Sequence, residues 1–186
     1  MTETGGLVDH TGIADPARRA AAFRRDRPDI TFHRMRWWDI PDVVTLERQL
    51  FRPDPWTAEM FWSELAWVPD TRRYLVAKDD SGRLVGYAGL MAVRDEATVQ
   101  TIGVHPDLHG SGIGHALLHD LLDEARRRGC REVYLEVRAD NRPALGLYER
   151  FGFTTLGRRR DYYGPGLDAL TMRLLIAQVS RARRDR

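Results

Sequence analysis

A chain of 186 residues, 42% hydrophobic and 30% charged, suits one compact domain with its own core. Cys130 is the single cysteine, which excludes an intrachain disulfide and a cysteine-based metal site. The formal net charge is only +2, no apolar run is long enough to span a bilayer, and the first residues lack the basic-then-apolar pattern of an export signal, so a cytoplasmic protein without membrane contact is expected.

Residues 1–30 read as a disordered extension, punctuated by Gly5, Gly6, Pro16 and Pro28 and poor in apolar residues. The extension carries Arg18, Arg19, Arg24, Arg25 and Arg27. A second basic tail, residues 177–186, carries Arg181, Arg183, Arg184 and Arg186. Neither has the series of aromatic residues that a surface for stacking single strands needs, which favours solvated tails over direct nucleic-acid binding.

Between them, residues 31–176 read as the folded domain. Thr31–Arg36 suits a strand. Asp39 is placed to cap a helix with Pro41 and Asp42 in its first turn and a buried stripe of Val43, Leu46, Leu50 and Phe51. Pro53 and Pro55 stop that helix. Thr57 can cap a second one carrying Phe61 and Leu65. Strands Arg73–Lys78 and Arg83–Val93 follow, joined by the turn Asp79-Asp80-Ser81-Gly82, and Thr98–Val104 is a further β segment.

After a glycine-rich stretch, Ile113, Leu117, Leu121 and Ala125 recur every four residues, with Leu118 and Leu122 beside them, which predicts a long amphipathic helix. Arg126, Arg127 and Arg128 suit the negative end of its dipole, and Gly129 its stop. Glu132–Arg138 alternates: Val133, Leu135 and Val137 share one face, Tyr134, Glu136 and Arg138 the other. Asn141 and Pro143 start a short helix that ends at Gly152. Gly152-Phe153 leads into a strand, and Ala169–Leu175 supplies the last one. Interleaved strands and helices predict a mixed α/β sheet with helices on both faces.

The segment His109-Gly110-Ser111-Gly112-Ile113-Gly114 sits between a strand and the long helix. Its glycines let backbone amides approach an anion, and the helix start points unpaired N–H groups and positive dipole at the same place. A pyrophosphate would be held well there, although a plain tight turn explains the spacing equally. No Lys-Ser/Thr pair follows the last glycine, so a nucleotide-triphosphate loop is excluded. The position past the middle of the chain, after a meander, argues against a dinucleotide fold.

Together with Thr101-Ile102-Gly103-Val104-His105-Pro106, this segment resembles the acetyl-CoA motif of the GNAT superfamily, Gln/Arg-x-x-Gly-x-Gly/Ala. His109 departs from the first position; Gly112 and Gly114 match. The resemblance continues through Asn141, Ala144, Leu147-Tyr148 and Phe151-Gly152-Phe153. Within the superfamily the chain is most similar to the RimI group of ribosomal-protein-alanine N-acetyltransferases, on Tyr134–Asn141, Ala144–Glu149, Asp54-Pro55-Trp56 and Arg159-Arg160-Asp161-Tyr162-Tyr163.

The resemblance implies the GNAT fold, a central mixed but mostly antiparallel twisted sheet flanked by helices on both faces. It implies acetyl-CoA as co-substrate, no metal, and a protein N-terminal peptide as partner, the N-terminal alanine of small-subunit ribosomal protein eighteen. Glu136 then corresponds to the general base and Tyr148 to the general acid. Ile102, Gly103 and Val104 correspond to the backbone that holds the acetyl-pantetheine end, with a strand bulge expected at Gly103 or Val104. Gly110, Ser111, Gly112, Ile113, Gly114 and His115 would surround the phosphates, with Asn141 also touching the cofactor. Trp56, Tyr162 and Tyr163 would line the acceptor groove.

The residues also admit simpler readings. Glu136 can be a solvent-facing strand residue paired with Arg138, Tyr148 a core filler, and Asn141 a helix cap. His115 and His119 have a zinc-compatible spacing but lack a third ligand, so they are read as a solvated helix face. The cluster Trp37-Trp38, Trp56, Trp62 and Trp67 could line an acceptor groove, with Trp56 the best candidate for substrate contact, while most of it is expected in core or interface. A GNAT for a small amine or antibiotic, or a non-catalytic acyl-CoA-binding module, are the alternative functions.

Overall fold

The computed structural model describes Arg27 and residues 29–176. Most of the expected extension and all of the expected C-terminal tail therefore lie outside the described residues. Strand β1 (Ile30–Arg34) passes through a 3-10 turn (Trp37–Asp39) into helices α1 (Ile40–Leu50) and α2 (Ala58–Leu65). The meander β2 (Arg72–Asp79), β3 (Leu84–Val93) and β4 (Glu96–Val104) follows. Helix α3 (Ile113–Arg127) connects β4 to β5 (Glu132–Arg138), then come α4 (Arg142–Arg150), β6 (Thr154–Arg159) and β7 (Ala169–Leu175). Among the described residues these strands form one seven-stranded sheet in the order β1-β2-β3-β4-β5-β7-β6.

The two helical layers follow from the alternation of β2. Tyr74 and Val76 point into the cluster built by Ile40, Val43, Leu46 and Phe61 of α1 and α2. Leu75 and Ala77 point into the opposite cluster, built by α3. Ile113, Ala116, Leu117, Leu118, Leu121, Leu122 and Ala125 of α3 are all fully buried. Each leucine there contributes roughly 1.5–3 kcal/mol of burial. The helix ends as its sequence predicts, with Gly129 at φ 78°.

Asp39 does not cap α1 with its side chain. The carboxylate turns back instead, accepting from the Arg36 amide at 2.8 Å and from Lys78 Nζ at 2.7 Å, and so ties the 3-10 turn to β2. Thr57 caps α2 as expected, accepting from Met60 N at 3.4 Å. The first strand is shorter than expected because the chain turns away after Arg34 into the Trp37–Asp39 turn.

Every neighbouring pair in the sheet is antiparallel except β4 with β5. That parallel pair is short. It joins Glu96, Ala97 and Thr98 to Glu132, Val133 and Tyr134 and goes no further. Just beyond it, β4 pairs with β3 through Val99 and Thr101 but leaves Gln100 without an opposite number, a β-bulge that bends the strand. The bulge thus lies at Gln100 and not at Gly103 or Val104. β5 stays in register with β7 along its whole length, so β4 and β5 diverge and open a wedge in the middle of the sheet.

Candidate active site

The wedge exposes one edge of β4. His105 N donates to Val85 O, so 105 and 85 are a hydrogen-bonded pair, and by alternation so are 103 with 87 and 101 with 89. The N–H and C=O groups of Ile102 and Val104 consequently face away from β3, into the wedge. Among the described residues no strand meets that edge beyond Thr98. Gly103 has a packing reason to be glycine: a Cβ there would lie 2.7 Å from the Tyr87 ring and 2.8 Å from Leu50.

The β4 edge leads to the glycine turn. Gly110 and Gly112 have φ of 78° and 93°, left-handed conformations that favour glycine. Gly112 is the N-cap of α3 and contributes no side-chain cap, and the first long-range helical bond runs from Ala116 N to Gly112 O. The amides of Ile113 and Gly114 precede that ladder, the kind of helix start that can take an anion. Ser111 Oγ is buried and has no hydrogen-bond partner. Gly114 is not demanded by packing, because a Cβ would sit 3.6 Å from both Leu147 and Val104, an ordinary contact. An unpartnered hydroxyl, open amides and a glycine the fold does not require all fit a phosphate group placed against this turn.

His109 occupies the position where the turn departs from the Gln/Arg pattern. Its Nε2 lies 2.9 Å from Val104 O. A carbonyl only accepts, so the imidazole donates, and the ring ties the turn to the wedge edge of β4.

Glu136 stands on β5 two residues past Tyr134, the last residue of that strand paired with β4. It does not pair with Arg138, whose guanidinium is engaged with Asp140 at 2.6 and 2.9 Å. Its partner is Arg159 of β6, with Nη1 at 2.8 Å from Oε1. The guanidinium carbon of Arg159 lies 3.9 Å from the centroid of the Tyr162 ring, and Tyr162 packs edge-on against Tyr163 at 4.9 Å. Burial raises the Tyr163 phenol, helped by the Glu136 charge. Tyr148 on α4 is buried and packs against Phe153 at 5.8 Å. Its phenol is pushed well above its ordinary value, first by burial and then by Tyr163.

Other expected residues are placed differently. Asn141 caps α4 through Oδ1, which accepts from Ala144 N at 3.2 Å. Trp56 is half-buried against Phe61, with ring centroids 5.3 Å apart. Trp37 and Trp38 are 59% and 57% exposed, and Trp62 and Trp67 are also exposed. The four lie outside the core, because the 3-10 turn points Trp37 and Trp38 outward, Trp62 sits on the outer side of α2, and Trp67 sits in the turn after it. His115 and His119 are not a solvated face either. Both are partly buried, His115 against Phe151 at 4.6 Å and His119 beside Asp123 at 3.2 Å. Among the described residues no cluster of His, Cys, Asp and Glu is arranged to hold a metal.

One functional candidate escaped the sequence. Glu47 of α1 is 2% exposed, accepting from the Tyr87 hydroxyl and from Trp56 N at 3.1 Å. Desolvation raises its carboxyl, and these two donors pull it partly back. It fixes the backbone at Trp56, while Tyr87 abuts Gly103 on β4. The signal was its place four residues after Val43, on the buried stripe.

Residues 32–153 match the model of the acetyltransferase (GNAT) family. The chain is 43% identical over 154 residues to the N-alpha-acetyltransferase RimI of Mycobacterium tuberculosis, covering 80% of this chain and 94% of that protein. It is 37% identical over 126 residues to the ribosomal protein bS18-alanine N-acetyltransferase of Escherichia coli, covering 67% and 81%. The crystal structure of the ribosomal-protein-S18-alanine N-acetyltransferase from Escherichia coli superposes with a TM-score of 0.72 at 33% identity, over 82% of this chain and 97% of that one.

Proposed function

We propose that this chain, which belongs to the acetyltransferase (GNAT) family, transfers an acetyl group from acetyl-CoA to the α-amine of a protein N-terminus. The acceptor we assign is the N-terminal alanine of small-subunit ribosomal protein eighteen, the reaction named for the Escherichia coli relative. The observation that carries the reading is the β4–β5 wedge: its open β4 edge runs onto the glycine turn, and Glu136 stands on β5 just past the last β4–β5 pair.

Acetyl-CoA, when bound, supplies an acyl group activated as a thioester. The turn from Gly110 to His115 holds its pyrophosphate through the amides at the start of α3 and the Ser111 hydroxyl. The open-edge groups of Ile102 and the amide of Val104, whose carbonyl is taken by His109, hold the pantetheine arm as a further strand would, and Asn141 adds a contact from the start of α4. An edge amide pointed at the acyl oxygen stabilises the charge that develops there.

Glu136 takes the proton from the acceptor amine, directly or through one water, as the nitrogen bonds to the acyl carbon. The α-amine has an ordinary pKa of about 7.7–8.0 against about 10.4 for lysine, so a carboxylate suffices without extreme tuning. Tyr148, whose phenol is protonated at working pH at its ordinary value, gives its hydroxyl proton to the sulfur as the C–S bond breaks. Trp56 on one side and Tyr162 and Tyr163 on the other form the acceptor groove.

Incubating the protein with acetyl-CoA and a peptide of the ribosomal N-terminus, followed by fragmentation mass spectrometry, tests this reading. Acetyl on the α-nitrogen is expected. Modification of an internal lysine instead, or turnover of free polyamines or aminosugars with peptides left untouched, would refute it.

A further inference from the structure

The reading of Glu136 as base leaves open what holds its carboxylate still. Glu136 projects from a strand face that is partly open to solvent, with 34% of its side chain exposed. An unrestrained glutamate there samples several rotamers, and proton transfer needs one of them.

The charged groups around it are already committed. Arg138, on the same face of β5, is held by Asp140 through two hydrogen bonds. Arg158 of β6 is held by Asp168 at 2.5 Å. Tyr163 and Tyr162 approach from the β6–β7 connection, and Thr171 of β7 stands opposite Glu136 in the ladder. Among the described residues Arg159 alone forms an ion pair with Glu136, and it uses one nitrogen on one oxygen: Nη1 on Oε1. Among the described residues no side chain donates a hydrogen bond to Oε2. The guanidinium is itself fixed by stacking on the Tyr162 ring at 3.9 Å.

We propose that Arg159 is a positioning residue for the transfer reaction: braced on Tyr162, it anchors Oε1 of Glu136 and so aims Oε2 at the acceptor nitrogen. The inference rests on the reading of Glu136 as the base. Arginine suits the task better than lysine because its flat fork can hold a carboxylate and lie on an aromatic face together. It also explains why the arginine comes from β6, an edge strand whose six residues are all exposed: the strand contributes no buried side chain to the core, and its C-terminal residue reaches across β7 to β5.

A double-mutant cycle on the full-length protein tests the inference, with Arg159→Met, Arg159→Lys, Glu136→Gln and the pair Glu136→Gln/Arg159→Met compared in kcat and in KM for acetyl-CoA. Arg159→Met is expected to lower kcat roughly 10-fold, the scale of a lost orienting contact, with KM for acetyl-CoA unchanged. Arg159→Lys should recover part of the loss. In the Glu136→Gln background, Arg159→Met should cost nothing further, because its target is gone. An equal loss in both backgrounds, or no loss in either, overturns the role of Arg159. If Glu136→Gln alone keeps wild-type turnover, the assignment of the base fails first and takes this inference with it.

Discussion

The imidazole of His109 donates to the carbonyl of Val104 at 2.9 Å, joining the glycine turn to the strand edge that lines the wedge. With Nε2–H committed in this way, Nδ1 is the ring's one remaining polar atom. The contact of His109 is therefore with the protein's own backbone, and the turn is held in place before any phosphate arrives.

His109→Ala should loosen that tether. A single hydrogen bond contributes about 0.5–1.5 kcal/mol, so affinity for CoA should fall roughly 2- to 12-fold. His109→Gln, which keeps a donor within reach of the carbonyl, should bind close to wild type. Calorimetric titration of both variants decides the point; unaltered affinity in the alanine variant would remove the tether from the account.

Gly114 separates a folding requirement from a binding one. Its Cβ would fit at 3.6 Å from its neighbours, and alanine is the better helix former by about 1 kcal/mol. Gly114→Ala should therefore unfold at no lower denaturant concentration than wild type, yet bind CoA more weakly because the methyl crowds the phosphate. By contrast, Gly112→Ala must adopt φ near 93°, at a cost of roughly 1–2 kcal/mol, and should lose stability as well. Weakened folding in Gly114→Ala with intact CoA binding would reverse the assignment.

Glu47 predicts a pH dependence of stability. Burial raises its carboxyl above the unfolded value, which is about 4.3. The folded state then holds that proton more tightly than the unfolded chain does. The resulting stabilisation is complete below the unfolded value and is lost as pH rises through the raised folded value. Glu47→Gln cannot ionise and can still meet Trp56 N and the Tyr87 hydroxyl. Its stability relative to wild type should therefore increase as pH rises from about 4.3 and level off once the raised folded value is passed. Urea unfolding across that range measures it, and a difference that does not change with pH contradicts the argument.

Tyr148→Phe keeps the ring that packs on Phe153 and removes only the hydroxyl. Turnover should drop by roughly 10²–10⁴, the range for a lost general acid, while CoA affinity stays the same. Stopped-flow transfer assays beside calorimetry separate the two quantities. Wild-type turnover in this variant would reduce Tyr148 to a core residue.

Local pattern made much of this readable. The 3.6-residue period of α3 and the strict alternation of β5 each restate a buried face directly in the order of residues, and both elements lie where they were expected. The glycine turn was legible because two of its glycines meet backbone conformations that few other residues adopt. The unread parts are those made by distant neighbours. The bulge at Gln100 depends on how β4 meets β3, and nothing in the residue itself announces it. The partner of Glu136 is 23 positions away on an edge strand with no buried face. Local spacing pointed to Arg138, which lies nearer in sequence and is bound elsewhere. For Trp37 and Trp38 the core is the part of the expectation that fails. Their apolarity suggests burial, but a tight turn leaves consecutive side chains on the outside.

Titrating CoA into the purified full-length protein in a calorimeter tests the central claim most directly, that the turn opening α3 and the parted β4–β5 edges receive a coenzyme A thioester. The account predicts saturable binding of one molecule per chain, weakened by Gly114→Ala and unaffected by Tyr148→Phe. No heat of binding for CoA or acetyl-CoA at any workable concentration, from protein shown to be folded, would contradict it.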